Sequence, residues 1–302
     1  MGASIGEGDL VLVIVEGRDR RREYLFRAER GAHYSTFAGP LPGSRLVGAE
    51  WGSTLRLPRG EAHLLPPTSR DLMMHALERA GQVIYPKDLG YIAVSAGLRP
   101  GMRVVEAGVG SGYLTATLAA VVGCEGRVLG YDVRREALEA TRRNLEALGL
   151  DHCVELRLGD VRRGVPERGL DAAFLDLPDP WLAARALHPS LRPGAPLVAF
   201  VPTYNQVERL AARARWAGYI VQEAVEILRR EIEARPGAVR PSVRMVGHTG
   251  FILVLRRLSS PAAAEEGEGA PAHGEGQAGE GQRGRLLAEE QPGQEAGPEG
   301  LE

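Results

Sequence analysis

The chain has 302 residues, 44% hydrophobic and 5% aromatic, with a formal net charge of −2. That length holds one large domain or two smaller ones, and the apolar fraction suffices for a core. A near-zero charge argues against a nucleic-acid partner only if it is evenly spread; here residues 261–302 hold ten Glu and two Arg, net −8, so residues 1–260 carry +6.

The basic residues are 36 Arg and a single Lys, Lys87. A coding bias toward Arg accounts for most of this. Under such a bias, a retained lysine marks a place that wants a compact ammonium rather than a planar guanidinium. The two cysteines, Cys124 and Cys153, make neither a disulfide framework nor a metal knuckle and fit a reducing cytosol. The first residues lack a charged segment followed by an apolar one, so no signal peptide is expected. No apolar run nears the roughly 18 residues of a membrane span.

In chain order, residues 9–66 alternate short apolar runs (Leu10–Val15, Tyr24–Arg27, Thr54–Leu57) with Gly and Pro turns. This reads as a small all-β module, assigned to residues 1–68. Residues 67–80 have helical spacing, with Ser69 as a candidate cap. From 86 to 258 strand candidates alternate with helix candidates. The strands are Arg103–Ala107, Arg127–Val133, Val154–Leu158, Ala172–Leu177, Leu197–Val201 and Phe251–Leu255. The helices are Gly112–Val122, Arg134–Leu148, Pro180–Leu187 and Tyr204–Ala217. The alternation predicts an α/β domain over 69–260, with a parallel, doubly wound sheet that binds ligands at the carboxyl ends of its strands. Residues 261–302 are Gly, Glu, Ala, Gln and Pro without an aromatic; they cannot bury enough surface to offset ordering entropy and are predicted disordered.

The strongest local signal is the strand Arg103–Ala107 running into Gly108, Gly110 and Gly112 and then a helix. The spacing is G-x-G-x-G, with Tyr113 where a dinucleotide fingerprint carries its third glycine. An acid on the strand, Glu106, suits a zwitterionic ligand such as S-adenosylmethionine better than a pyrophosphate. The E-x-G-x-G-x-G pattern resembles motif I of class I methyltransferases, a Rossmann-like fold. Asp132 ends the second strand, twenty residues beyond Gly112. It either accepts both ribose hydroxyls or is a solvated strand-end acid, and the spacing favours the first. Asp160 ends the third strand, where class I methyltransferases often hold the adenine amine; a loop acid is the equal alternative. Asp176 ends the fourth strand, in Asp-Leu-Pro-Asp-Pro-Trp, and an acid there is costly unless something pairs with it. Asp179 reads as a turn acid before Pro180. The seven histidines show no metal-ligand spacing, so no metal is expected. His248 reads as structural.

Beyond motif I, the chain has Gln82-Val-Ile-Tyr-Pro-Lys-Asp88, Pro202-Thr-Tyr-Asn-Gln206 and Gly247-His-Thr-Gly-Phe-Ile-Leu253. With these, most of residues 9–258 is similar to the bacterial tRNA (adenine-N1)-methyltransferases that act on position 58 of the T-loop. The resemblance implies S-adenosylmethionine as cofactor, tRNA as partner, a cytoplasmic setting and a homotetramer. It makes Asp176 the catalytic aspartate and Tyr85 a residue of the substrate pocket. It makes Ser111, Gly112, Tyr113, Leu114, Asp132 and Asp176 cofactor contacts. Two positions depart. Phe200 stands where some members have tyrosine, and Arg162 falls near an acidic cofactor contact of others, a duty Asp160 can take. The tail has no counterpart.

The implied reaction moves a methyl group from sulfonium sulfur to adenine N1, which needs position and electrostatics rather than a strong base. Asp176 would accept from the exocyclic amine and select adenine, and the base would flip out of its loop onto an aromatic such as Tyr85. Arg18–Arg22, Arg229-Arg230 and Arg240–Arg244 are candidate phosphate contacts. The rival readings are a protein carboxyl methyltransferase of isoaspartyl type and a non-catalytic tRNA-binding subunit. The second loses the glycine motif in known examples, and this chain keeps it.

Overall fold

A computed structural model describes residues 3–79, 81–234 and 237–259. The acidic tail, expected to be disordered, lies outside the described residues. The amino-terminal part begins with β1 (Leu10–Glu16) and β2 (Arg21–Arg27), a hairpin β3 (His33–Thr36) and β4 (Gly39–Pro42), then β5 (Thr54–Leu57) and β6 (Gly60–Leu65). Four of these form an antiparallel sheet in the order β2-β1-β6-β5. Val11, Val13 and Val15 of β1 are buried with Leu41, Leu46 and Leu64; β-branched side chains fill a pleated, half-buried surface well. β3, β4 and β6 add to the three apolar runs visible in the sequence.

Two helices lead into the second sheet. In α1 (Ser69–His75) the cap is Thr68, not Ser69: Thr68 accepts from the Asp71 amide while the Asp71 carboxylate accepts from the Thr68 amide, a reciprocal capping box. The helix stops short of the 67–80 span expected. α2 (Pro86–Ser95) has Pro86 at its first turn, where the missing N–H costs nothing.

The remaining elements are β7 (Arg103–Ala107), α3 (Tyr113–Val122), β8 (Arg127–Asp132), α4 (Arg135–Leu148), β9 (Val154–Leu158), β10 (Ala172–Leu175), α5 (Pro180–Leu187), β11 (Pro196–Val201), α6 (Tyr204–Ala217), β12 (Tyr219–Glu226), a short arm of β13 (Ile232–Glu233) and β14 (Arg240–Pro241), and β15 (Phe251–Arg257). Seven of these strands form one sheet in the order β12-β15-β11-β10-β7-β8-β9. It is mostly parallel, as expected, but β15 runs antiparallel to both neighbours. β12 follows α6 directly, and the chain returns from it through the arm to lay β15 antiparallel between β12 and β11, with no crossover helix between β12 and β15.

Successive residues of each strand face opposite layers. Val105, Leu129 and Leu175 pack toward Leu187 of α5 and Leu210 of α6. Val104, Val128 and Phe174 pack toward Ile92, Leu118 and Leu145 of α2, α3 and α4. Each such buried aliphatic contributes about 1.5–3 kcal/mol. The strand order reverses between β7 and β10. A ligand-binding crevice opens at such a switch point, outside the carboxyl ends of the strands.

The expectation of no disulfide is corrected: Cys124 and Cys153, Cα atoms 4.5 Å apart, are joined. The link ties the end of α3 to the turn before β9. Among the described residues no helix is long and apolar enough to cross a membrane.

Candidate active site at the sheet switch point

β7 delivers Glu106 and then turns sharply. Gly108 has φ +88, and a Cβ there would lie 2.1 Å from the Asp176 carbonyl oxygen. Only glycine lets the turn after β7 touch the end of β10 this closely. The turn is held by Gly108 N–H donating to Tyr131 O (2.8 Å) and Asp176 N–H donating to Ala107 O (2.9 Å). Gly112, at φ +80, caps α3 against Thr141, with which a Cβ would clash at 2.8 Å. Gly108 and Gly112 thus serve contact as well as conformation, whereas Gly110, at φ +54, serves conformation alone.

The carboxylates that sequence reasoning separated along the chain converge here. Asp132 is buried, accepting from the Gly110 amide (3.2 Å) and the Arg134 amide (2.9 Å). It therefore orders the glycine turn while lining a cavity of about 220 Å³ with Gly108, Asp160, Arg162 and Asp176. The Asp160 carboxylate is taken up by Arg162, whose Nη2 donates to it at 2.8 Å. Arg162 also reaches Asp179, Nη1 to Oδ2 2.7 Å. Asp179 is thus an ion-pair partner as well as the turn acid before α5. Asp160 is drawn below its usual carboxyl range by that guanidinium.

A narrower cavity on the other side of Gly108 and Asp176 is lined by Gln82, Ile84, Glu106, Gly110, Ser111, Tyr113 and Leu114. The two cavities share Gly108 and Asp176, so those residues stand at the middle of one bent cleft. Glu106 is wholly buried; neither carboxyl oxygen makes a well-formed hydrogen bond, and Thr115 is the neighbouring group that offers donors to it. Burial pushes its carboxyl well above the usual range. A poorly satisfied carboxylate in such a place awaits a further donor, and a ligand ammonium is one. The Asp176 side chain is open to the cleft, yet protein surrounds it closely. Desolvation, helped by the nearby Asp132 charge, pushes it up to about 6.

Tyr113 is buried at the start of α3, its hydroxyl accepting from Arg79 Nε at 3.4 Å. Tyr85 lies apart from this cleft. It precedes α2 and lines a neighbouring cavity of about 420 Å³ with Met74, Lys87, Arg229, Met245 and Thr249. Segment 82–85 therefore separates the two spaces. Another cavity, about 600 Å³, opens at the amino ends of the strands near Arg99, Asp171 and Arg192; volume does not choose the site, since Asp171 is the one carboxylate in its lining.

Other candidates resolve differently. Phe200 is buried, with Gly250 packed under its ring so closely that a Cβ would lie 2.3 Å from it. His248 donates to Glu226 Oε1 (2.6 Å) and Pro202 O (2.8 Å), a structural arrangement. Among the described residues, His152, Cys124 and Cys153 bring ligating atoms within 4.8 Å of one another, but the disulfide consumes both sulfurs. Of the candidate phosphate contacts, Arg229 pairs with Glu231 and Arg240 with Glu233. Arg20 and Arg22 lie over Phe37 and Tyr24. Sequence reasoning missed a basic-aromatic cluster on α5 and α6: Arg209 and Arg213 flank the ring of Trp181 at 5.9 and 5.7 Å. Residues on two separate helices carry no linear signal.

Known proteins agree with this geometry. The model of the family described as tRNA methyltransferase complex GCD14 subunit matches residues 60–246. The chain is 35% identical over 244 residues, 72% of its length and 86% of the relative's, to the tRNA (adenine(57)-N(1)/adenine(58)-N(1))-methyltransferase TrmI of Methanocaldococcus jannaschii. It is 34% identical over 243 residues, 80% and 95% of the two chains, to the tRNA (adenine(58)-N(1))-methyltransferase TrmI of Thermus thermophilus. The solved tRNA (m1A58) methyltransferase TrmI of Aquifex aeolicus superposes with TM-score 0.76 at 30% identity, over 85% of this chain and all of that one. A SAM-dependent O-methyltransferase structure from Thermotoga maritima gives 0.79 at 29%, over 85% and 96%. A glycine cradle and a poorly satisfied carboxylate at the switch point, a family model covering most of the chain, and relatives matched over nearly their whole length lead to one conclusion: the chain belongs to the S-adenosylmethionine-dependent tRNA (adenine-N1)-methyltransferase family.

Proposed function

We propose that this enzyme methylates N1 of adenine 58 in the T-loop of tRNA. The observation that supports this most is Asp176, a desolvated carboxylate that lines both halves of the cleft. S-adenosylmethionine, when bound, supplies an electrophilic methyl group on a sulfonium sulfur. In this reading Glu106 meets the ammonium of the methionine end, with Gly108, Gly110, Ser111, Gly112, Tyr113 and Leu114 shaping that half of the cleft. Asp132 faces the ribose from the other half. Asp160, already engaged by Arg162, offers the adenine amine only its free lone pairs. Tyr85 stacks the flipped target base.

Asp176 accepts a hydrogen bond from the N6 amine of the target. That pulls density toward N1 and stabilises the cation formed on methylation, an electrostatic effect strengthened in a site shielded from water. A carboxylate held at about 6 is poorly stabilised before the reaction and gains most when a positive charge appears beside it. Because Asp176 only accepts, it favours a base edge that presents an amine donor.

The rest of the reading concerns assembly and place. Ile232, Val239, Val243, Met245 and Val246 expose apolar surface on the arm from 228 to 246. Covering it in a homotetramer removes a patch that a lone subunit would leave wet. We place the enzyme in the cytoplasm with its tRNA, and divide the chain at 1–68, 69–260 and 261–302. The test is transfer of labelled methyl from S-adenosylmethionine to unmodified tRNA and, separately, to an isoaspartyl peptide. Label in tRNA alone supports the reading; label in the peptide alone supports carboxyl transfer, and label in neither supports a non-catalytic subunit.

A further inference from the structure

The sole lysine of the chain lies in a closed ring. Lys87 Nζ donates to Asp88 Oδ1 (2.7 Å), to Thr249 Oγ1 (2.6 Å) and to the Ile227 carbonyl (2.6 Å). Thr249 Oγ1 in turn donates its one proton to Asp88 Oδ2 (2.9 Å). All three ammonium protons and the threonine proton are thereby used. The Lys87 side chain is 11% exposed and that of Asp88 0%. Three stretches meet at this ring: the first turn of α2, the residue after β12 and the Gly-His-Thr-Gly loop before β15.

Such a ring is a costly way to hold three segments together. Burying two opposite charges loses hydration that their attraction only partly returns, and apolar side chains of similar volume often serve stability as well. A ring with every donor and acceptor matched provides geometry instead: it fits one register only. An arginine cannot substitute, because a planar fork does not present three tetrahedral protons. This accounts for a lysine surviving in a chain with 36 arginines.

Its placement says what the register is for. Gln82, Val83 and Ile84 line the narrow half of the cleft with Glu106 and Asp176. Tyr85, Lys87 and Thr249 line the adjoining cavity. Tyr85 also accepts, through its carbonyl, the Asp88 and Leu89 amides that begin α2. The ring therefore anchors the wall between the two spaces from one end.

We infer that Lys87, Asp88 and Thr249 form a positioning clasp that sets Tyr85 and segment 82–85 against Asp176, so that the target base enters at the correct distance from the methyl donor. This rests on the proposed function, since it assigns the cavity beside Tyr85 to the base. The clasp lines that cavity through Lys87 and Thr249, but its protons are committed within the ring. It acts through Tyr85.

Thr249→Val removes the hydroxyl but leaves the Lys87–Asp88 pair, so the chain keeps its buried charges matched. Thr249→Ser restores the hydroxyl. Both are compared with wild type at a temperature where each is fully folded by circular dichroism. The expected result for Thr249→Val is a fall of about tenfold or more in kcat/KM for tRNA, with Kd for S-adenosylmethionine changed by less than about twofold. Thr249→Ser returns most of the loss, and Lys87→Arg does not. Hydrogen exchange over residues 82–89 quickens in Thr249→Val and not in Thr249→Ser. Wild-type kcat/KM in Thr249→Val, equal losses in the valine and serine variants, or unchanged exchange over 82–89 overturns the clasp. A wild-type enzyme that labels no tRNA overturns the proposed function, while the exchange measurement still decides whether the ring holds this segment.

Discussion

Asp176 carries the account at the scale of single residues. Its carboxyl sits at about 6 because burial and the Asp132 charge both oppose ionisation, and the proposed role needs the ionised form. Activity should therefore fall as pH drops through about 6, and Asp176→Asn should lose that limb along with most of its turnover, about a hundredfold or more. A pH–rate profile of kcat/KM checks this; an acid limb surviving in the asparagine variant would assign it to another group. Stability moves the other way. A folded-state value raised above the unfolded 3.8 means the contribution is present at low pH and lost as pH rises through about 6. Asp176→Asn should be more stable than wild type at pH 8 and not at pH 4, by chemical denaturation. An active-site carboxylate that weakens the fold is consistent with use in chemistry rather than in packing.

At the scale of elements, the end of β12 and the residue after β11 meet at His248, in the loop before β15. Both ring nitrogens face acceptors, the Glu226 carboxylate and the Pro202 carbonyl, so the imidazolium satisfies both and is favoured. The raised value makes this contribution complete below about 6.5 and lost as pH climbs through the folded-state value. Unfolding of His248→Ala should accordingly differ from wild type at pH 6 and converge with it by pH 9; a constant gap would mean packing on Phe251, whose ring centroid is 4.8 Å away, dominates. The elements also show what a linear reading can reach. β7, β8 and β10 were legible because buried parallel strands read as continuous apolar runs, and each carries the acid that matters at or within one residue of its carboxyl end. α2 was not, because Gly90 and Val94 are poor helix formers; packing of Leu89 and Ile92 overrides them. β12 was not, because an edge strand with one wet face shows only weak alternation. The ring at Lys87 joins residues 162 positions apart, and its only trace in the sequence was the lysine itself. The disulfide was invisible for the same reason: nothing in the spacing of Cys124 and Cys153 says that α3 and the turn before β9 meet.

For the whole molecule, the net charge of −2 joins a basic body to an acidic tail. The body's excess is small, and several arginines spend their charge on internal partners: Arg162 on Asp160 and Asp179, Arg229 on Glu231, Arg240 on Glu233. Phosphate binding then depends on surfaces such as the Trp181 cluster and, in the proposed homotetramer, on summing modest fields over subunits. A tail of ten glutamates is either an inert, solubilising extension, the favoured reading, or a competitor for the same surfaces that acts only while screening is weak. If it competes, truncation after Ser260 tightens tRNA binding at low salt and leaves it unchanged at high salt, by fluorescence anisotropy. Equal affinities at low salt would make the tail a spectator.

The most direct test of the central claim is mass spectrometry of tRNA digested by nuclease after reaction with enzyme and S-adenosylmethionine. The account predicts a single added methyl on N1 of adenine 58, absent with Asp176→Ala although that variant still binds the cofactor. A methyl on another atom or base, or full modification by Asp176→Ala, would contradict it.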